Sequence, residues 1–394
     1  MFQGKISVGL VGIGWAGTMH ANAYNHIHGV AVDLKTVCAL EPNVPEFAEQ
    51  YHFRGYTREF QELLDDPEID VIDITTPPNL HKSMVIQAMR AGKHVICEKP
   101  LTGYFGRPGD PERVGETDKA KMLMDVRGEM AEIAQAAKET GRKFCYAENW
   151  IYAPAFQRAC QLVKAKGTTV VQMDSFLCHK GSPAQYVKIW SKSGGGTLSR
   201  NLTHPLSTAV YLKKLEMESK GLPFGVKSIL CDCSQVTRNI ENRYIEADPL
   251  DTEDWSHAIV TFSDGTKATL TAADTFVGES VNRFDIYGND AVMKCNFAPN
   301  NLLDVYFSDD KGLEDEFITE KDDHKLGIKH AAICEELIRG YYGELQDFIE
   351  CIAYDREPLV GLEIAMEVLD LVQLAYYSAE QGRCVEIAEF EDRS

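Results

Sequence analysis

Ile6-Ser7-Val8-Gly9-Leu10-Val11-Gly12-Ile13-Gly14-Trp15-Ala16-Gly17 decides how the rest of the chain is read. An apolar run ends in Gly12-x-Gly14-x-x-Gly17, and a helix-compatible stretch, Thr18 to His26, follows. Strand, glycine turn and helix in that order are what a dinucleotide-binding turn requires. Gly12 allows the tight turn, Gly14 lets backbone approach a pyrophosphate, and Gly17 lets the helix pack closely on the strand. The pyrophosphate then rests on the free N–H groups and positive dipole end of the helix.

The sequence around this turn agrees with it. From residue 6 to about 145, strand-like runs (Ile6–Val11, Asp33–Leu40, Val71–Thr75, His94–Cys97, Lys143–Ala147) alternate with helix-periodic ones (Pro45–Tyr51, Glu59–Leu64, Lys82–Ala91, Asp118–Glu139). Such alternation predicts an α/β unit, a Rossmann-type doubly wound parallel sheet with its crevice at the strand C-termini. After residue 150 strands follow one another without helices between them: Thr169–Cys178, Val226–Val236, Ser256–Phe262, Lys267–Ala273, Arg283–Gly288 and Ala291–Phe297. Helical segments are expected at Pro154–Lys166, Leu202–Leu215, Lys329–Tyr354 and Leu362–Glu380. The expected architecture is therefore a dinucleotide-binding domain over residues 1–148 and an α+β domain over 149–394, built on an open, mainly antiparallel sheet. Such a sheet, uncovered on one face, calls for a partner. A homodimer or homotetramer through the C-terminal sheet is expected. The Gly- and Pro-rich stretch 103–117 interrupts the rhythm and is expected to be a lid or subunit-contact loop. The acidic end, Glu386 to Ser394, reads as a solvated tail.

Composition narrows the function classes. A length of 394 suits two domains, and a formal net charge of −20 disfavours nucleic acid or an anionic membrane as partner. No apolar run approaches the ~20 residues that span a bilayer. Met1–Lys5 runs straight into the first strand, so a cytoplasmic protein without a cleaved leader is expected. Eleven cysteines scattered through apolar stretches read as reduced thiols. Cys231-x-Cys233 lacks a second pair at zinc-ligand spacing, and no metal is expected.

Three further stretches carry a resemblance: Thr75-Thr76-Pro77-Pro78-Asn79-Leu80-His81, Gly92-Lys93-His94-Val95-Ile96-Cys97-Glu98-Lys99-Pro100, and Ser193-Gly194-Gly195-Gly196-Thr197 with His204 downstream. With the glycine turn, in this order, they make the chain resemble the glucose–fructose oxidoreductase/inositol dehydrogenase (Gfo/Idh/MocA) family over nearly its whole length. The residues themselves give Lys99 weight: a lysine just past a strand end, in a partly desolvated crevice, becomes an acid/base nearer neutrality. The resemblance implies that Lys99 is the catalytic lysine, that Glu98 reaches the nicotinamide ribose, and that the Lys99–Pro100 bond is cis. It places Gly12, Gly14, Trp15, Ala16, Gly17, Thr75, Pro77, Asn79 and His81 around the cofactor, with Asn79 as an alternative cap of the following helix. It makes His204 the second catalytic group. Where relatives carry an acid one helical turn earlier, this chain has Arg200, which cannot accept a hydrogen bond from an imidazole. Arg200 and Asn201 are then candidates to grip substrate oxygens. His179 and Trp190 are implied to line a sugar pocket, and Asn149, Trp150 and Tyr152, at the domain crossover, are further substrate candidates.

The acid that usually holds the adenosine ribose falls at Ala39, with Glu41 two residues on and no arginine in that stretch. NAD rather than NADP is expected, with Glu41 on the ribose diol. The implied activity is oxidation of a ring hydroxyl of a sugar, glycoside or cyclic polyol, with a bulky glycoside oxidised at C3 favoured. One alternative is an NAD-dependent glycosidase that oxidises transiently and eliminates the aglycone. Another is a non-catalytic dinucleotide-binding regulator.

Overall fold

The structure is a computed structural model and describes residues 4–241, 244–298, 303–314, 316–318 and 325–390. Six parallel strands form the first sheet: β1 (Lys5–Val11), β2 (Ala31–Cys38), β3 (Gly55–Thr57), β4 (Val71–Ile74), β5 (His94–Glu98) and β6 (Phe144–Ala147), in the order β3-β2-β1-β4-β5-β6. Order reverses between β1 and β4, so the crevice opens where the glycine turn, the Thr75 loop and the Glu98–Pro100 step meet. Apart from Lys5, every residue of β1 is buried, as are all four of β4, which a sheet covered on both faces demands. At three residues, β3 is too short to show a pattern, and the sequence reading passed over it.

The second sheet has seven strands: β7 (Val170–Cys178), β8 (Val226–Ser234), β9 (Trp255–Phe262), β10 (Lys267–Ala273), β11 (Val281–Gly288), β12 (Val292–Asn296) and, after the hairpin β13 (Asp304–Phe307) and β14 (Gly327–His330), β15 (Val385–Glu386). Its order is β12-β11-β7-β10-β9-β8-β15, antiparallel throughout except for the β7–β10 pair. Strict alternation along β9 turns one face to the core and leaves the other half-exposed.

Two expectations need correction. The helix expected over Lys329–Tyr354 begins as strand β14, turns at Glu335–Ile338 and becomes regular only over Tyr341–Ala353. Gly340 causes the break. Its φ is +100°, and a Cβ there would stand 2.1 Å from the Asn149 carbonyl oxygen, so backbone packs directly on backbone. The acidic end is docked as far as it is described: β15 pairs with β8, and Phe390 is buried against Arg127, which donates to its carbonyl at 3.0 Å. The 103–117 loop is packed on its own chain. Tyr104 is fully buried, Arg107 pairs with Asp125 and Glu129, and a Cβ on Gly115 would meet the Asp251 carbonyl oxygen at 2.0 Å.

The two sheets share one continuous core, joined by the returning C-terminal chain. Val360 accepts from Tyr146 N at 3.0 Å, and helix Leu362–Gln381 packs on both helix Lys119–Thr140 and β8. Both domains thereby brace the end of β6, beside the catalytic candidates.

Candidate active site

The glycine turn has the shape its sequence promises. Gly12 adopts φ +98°, and an added Cβ would lie 2.8 Å from Thr75 O; at Gly17 it would lie 2.3 Å from Gly12 O. Above Gly14 there is no atom within 4 Å, and no side chain caps helix Trp15–Tyr24. Its first-turn amides are therefore free for a pyrophosphate, the fit a dinucleotide needs. Thr75 braces the turn from β4, its hydroxyl donating to Val11 O and Gly12 O at 3.0 Å each. Trp15 stays 48% exposed at the helix start, and Ala16 follows within the turn. Gly17→Ala would force backbone apart at a cost of about 1–3 kcal/mol. A fluorescence titration of that variant should show markedly weakened NADH binding.

At the adenosine end, Leu40 and Glu41 are exposed beyond β2, as a ribose-facing segment would be. The fold brings Arg58 here from the end of β3, donating to Leu40 O at 3.1 Å. The sequence hides this arginine because it lies in another segment. It does not stand alone: burial and the nearby Glu59, Glu62 and Glu41 carboxylates push the Cys38 thiol up to about 11. A 2′-phosphate would enter a region rich in negative charge.

Pro77 and Asn79 lie exposed on the loop after β4, and Asn79 makes no cap for helix His81–Arg90. His81 is buried, its Nδ1 2.8 Å from Pro100 O and its Nε2 2.8 Å from Thr76 O. It clamps two crevice loops together and has no ring nitrogen left for a ligand. The Lys99–Pro100 bond is cis.

Lys99 Nζ donates to Arg200 O at 2.6 Å, so the lysine reaches across to the second domain. Burial and the Arg200 charge hold its pKa below 10.5, opposed by Glu98 and Glu148. Glu98 accepts from Lys99 N at 3.0 Å; burial would raise its pKa, but hydrogen bonding and charge from His20, with Lys99, keep it below the usual value.

The sequence reading left His204 without a carboxylate. Glu148, the last residue before the crossover helix, supplies it: His204 Nδ1 lies 2.5 Å from Glu148 Oε1. Glu148 is fully buried, and the Trp150 ring stacks on the imidazole at 5.5 Å and 18°. Burial, with Lys99, holds His204 below 6.5 despite Glu148, so the ring is neutral near pH 7. A carboxylate only accepts, so Nδ1 carries the proton and Nε2 becomes the acceptor. Glu148 was missed because its spacing from His204 exists only in three dimensions.

Arg200 sits in a wide π-type turn, Leu198–Leu202, that leads into helix Thr203–Ser219. Such turns concentrate at functional sites. Asp274, at the end of β10, pairs with Arg200 at 2.5 Å, accepts from Asn201 at 3.0 Å, and faces His179 Nδ1 at 3.4 Å. Asp274 gathers three of the substrate candidates. Glu253 holds the glycine run beneath them, accepting from Gly196 N at 3.0 Å and Leu198 N at 2.8 Å.

Other candidates are structural in their visible contacts. Asn149 Nδ2 donates to Arg339 O at 2.8 Å. Tyr152 OH donates to Asp347 at 2.8 Å and accepts from Val360 N at 3.1 Å. Trp190, 3% exposed, donates to Tyr104 O at 3.0 Å, anchoring the 103–117 loop. Asn149 Nδ2, Tyr152 OH and Trp190 Nε1 are thus each engaged within the chain. The described residues bring together no three His, Cys, Asp or Glu side chains that could hold a metal ion.

Residues 6–124 match the oxidoreductase family with NAD-binding Rossmann fold (GFO_IDH_MocA), and residues 168–387 match that family's C-terminal alpha/beta domain. Levoglucosan dehydrogenase of Pseudarthrobacter phenanthrenivorans is 27% identical over 327 residues, covering 78% of this chain and 77% of that one. Myo-inositol 2-dehydrogenase of Thermotoga maritima is 30% identical over 118 residues, 30% of this chain and 34% of the relative. GenD2 from gentamicin A biosynthesis, in complex with NAD, superposes with a TM-score of 0.77 at 21% identity over 98% of this chain and 97% of that one. Levoglucosan dehydrogenase in complex with NADH and levoglucosan gives 0.73 at 23% identity over 98% and 100%. The structural likeness fixes the fold, and the family match makes the first domain an NAD-binding one. No helix among the described residues is long and apolar enough to cross a membrane.

Proposed function

The chain belongs to the Gfo/Idh/MocA oxidoreductase family, and on that premise we propose that it oxidises a ring hydroxyl of a sugar, glycoside or cyclic polyol with NAD as acceptor. The observation that carries this reading is the convergence of Lys99 with the His204–Glu148 pair at the end of β5 and β6. NAD, when bound, supplies the hydride acceptor. The chain supplies the rest: Lys99 takes the hydroxyl proton, and His204 Nε2 accepts a hydrogen bond that orients the same hydroxyl. Glu148 fixes the imidazole tautomer. Arg200, Asn201 and His179, tied through Asp274, are placed to hold neighbouring hydroxyls. The levoglucosan dehydrogenase that is 27% identical over 78% of this chain supports a carbohydrate ring as substrate.

The 103–117 loop, anchored by Tyr104 and Trp190, lends no separate support to a bulky glycoside oxidised at C3. The proposal therefore rests at a ring hydroxyl.

A screen of sugars, cyclic polyols and nitrophenyl glycosides, with NAD and NADP in parallel, tests it through NADH absorbance. NAD reduction by at least one polyhydroxylated ring is expected, with NADP poorer because of the carboxylates near Cys38. Nitrophenol release with no net cofactor reduction would favour the glycosidase. Tight NADH binding with no turnover of any ring would favour the regulator.

The half-exposed sheet face, with Leu230, Trp255, His257 and Ile259, is where we place a homodimer or homotetramer. Light scattering giving the mass of one chain would contradict that assembly.

A further inference from the structure

Behind Lys99 lies a buried cluster that the proposed reaction does not use. His20, on helix Trp15–Tyr24, is fully buried, with Nδ1 2.9 Å from Asp73 Oδ2 on β4. Tyr24 OH donates to the same carboxylate oxygen at 2.8 Å. His20 Nε2 has no hydrogen-bond partner; it stands 3.6 Å from Glu98 Oε1 on β5 and 3.7 Å from Glu344 Oε1 on helix Tyr341–Ala353. Both Glu344 oxygens are buried without a hydrogen-bond partner. The Tyr341 ring meets the imidazole edge-on at 6.0 Å. Groups from β4, β5 and helix Tyr341–Ala353 thus face His20, and three of them are carboxyls.

We propose that His20 is a positioning residue: as an imidazolium between Asp73 and Glu98 it holds Glu98 in place as a carboxylate, and through Glu98 it fixes the charge beside which Lys99 works. The proposal rests on the reading of Lys99 as the base. Three carboxyls buried together cannot all be ionised without a cation among them. Asp73 and Glu98 raise His20 well above 6.5 against the cost of burial, so the ring is charged at neutral pH. Burial lifts Glu344 well above the usual carboxyl range against the pull of His20, with Glu98, Glu148 and Asp73 adding to the rise, so Glu344 is the member that stays neutral. Glu98 remains charged. Glu98 is the foremost charge raising Lys99, and His20 is not among its main influences, so loss of the Glu98 charge outweighs loss of the His20 charge at the amine.

The sign of the effect follows. Without His20, Glu98 takes up a proton, the negative charge that raises the Lys99 pKa is gone, and the amine deprotonates at lower pH. Labelling Lys99 with acetic anhydride across pH, read by peptide mass spectrometry, measures this with no substrate present. The midpoint for labelling is expected to fall by about one pH unit in His20→Gln and in Glu98→Gln. The double variant should show no larger fall than Glu98→Gln alone. Asp73→Asn, nearly isosteric, removes the carboxylate that keeps His20 charged and should shift the midpoint the same way, which keeps the test alive if His20→Gln does not fold. An unchanged midpoint in His20→Gln and Asp73→Asn, while Glu98→Gln shifts, would make His20 merely structural. No shift in Glu98→Gln, or full additivity in the double variant, would equally overturn the relay. Should the shifts appear in a protein that oxidises no ring, the proposed substrate falls and the positioning of Lys99 stands.

Discussion

Replacement of Lys99 by methionine is expected to lower NAD reduction by about 10²–10⁴-fold, the usual worth of a positioned acid/base. Methionine keeps much of the length and removes the amine, so NADH affinity should change little. The lost hydrogen bond to Arg200 O costs only about 0.5–1.5 kcal/mol of stability. The pH profile gives an independent check. Lys99 must be neutral to take a proton, so oxidation should rise with pH and level off above the folded-state value, which burial and Arg200 hold below 10.5. That limb should vanish in Lys99→Met. A variant that keeps wild-type rates, or the wild-type limb, would remove Lys99 from the chemistry.

Glu148→Gln is the second substitution with a large expected effect. A carboxylate can only accept, which pins the His204 proton on Nδ1 and leaves Nε2 as the acceptor. Glutamine can instead donate to Nδ1, which moves the ring proton to Nε2 and points a donor at the substrate. Turnover should fall by about 10²-fold, a share of the acid/base contribution. Because the shape is nearly conserved, the melting temperature should fall far less than the rate would suggest. His204→Asn should cause a similar loss, and the double variant should be little worse than either single one, since both act through one unit. Additive losses would separate Glu148 from His204.

Much of the nucleotide half was legible because local chemistry dictates it. Only glycine tolerates the backbone at 12 and the close approach at 17, so the turn shows in the sequence alone. Strands buried on both faces read as apolar runs, and β1, β4, β5 and β6 show in the sequence that way. The candidate site was half legible. Lys99 and His204 sit at marked positions, but the groups that tune them come from distant segments: Glu148 from the end of β6, Asp274 from the end of β10, Glu344 from a C-terminal helix. Spacing carries no trace of such pairings. Trp190 and Tyr152 show a different ambiguity. Aromatic residues with a polar handle suit a sugar pocket and a packed interface equally well, and here Tyr104 O, Asp347 and Val360 N engage those handles. The misplaced start of helix Tyr341–Ala353 has the same origin. Nothing local says that Gly340 must press against the Asn149–Ala153 backbone.

In the proposed reaction a hydride leaves a ring carbon of a carbohydrate for NAD while Lys99 takes the hydroxyl proton. Incubating the protein with NAD and a ring-deuterated form of the best substrate from the screen, then analysing the reduced cofactor by mass spectrometry, tests this directly. The account predicts one deuterium per NADH with the wild-type protein and almost no NADH with Lys99→Met. NADH without deuterium, or undiminished deuterium transfer in Lys99→Met, would contradict it.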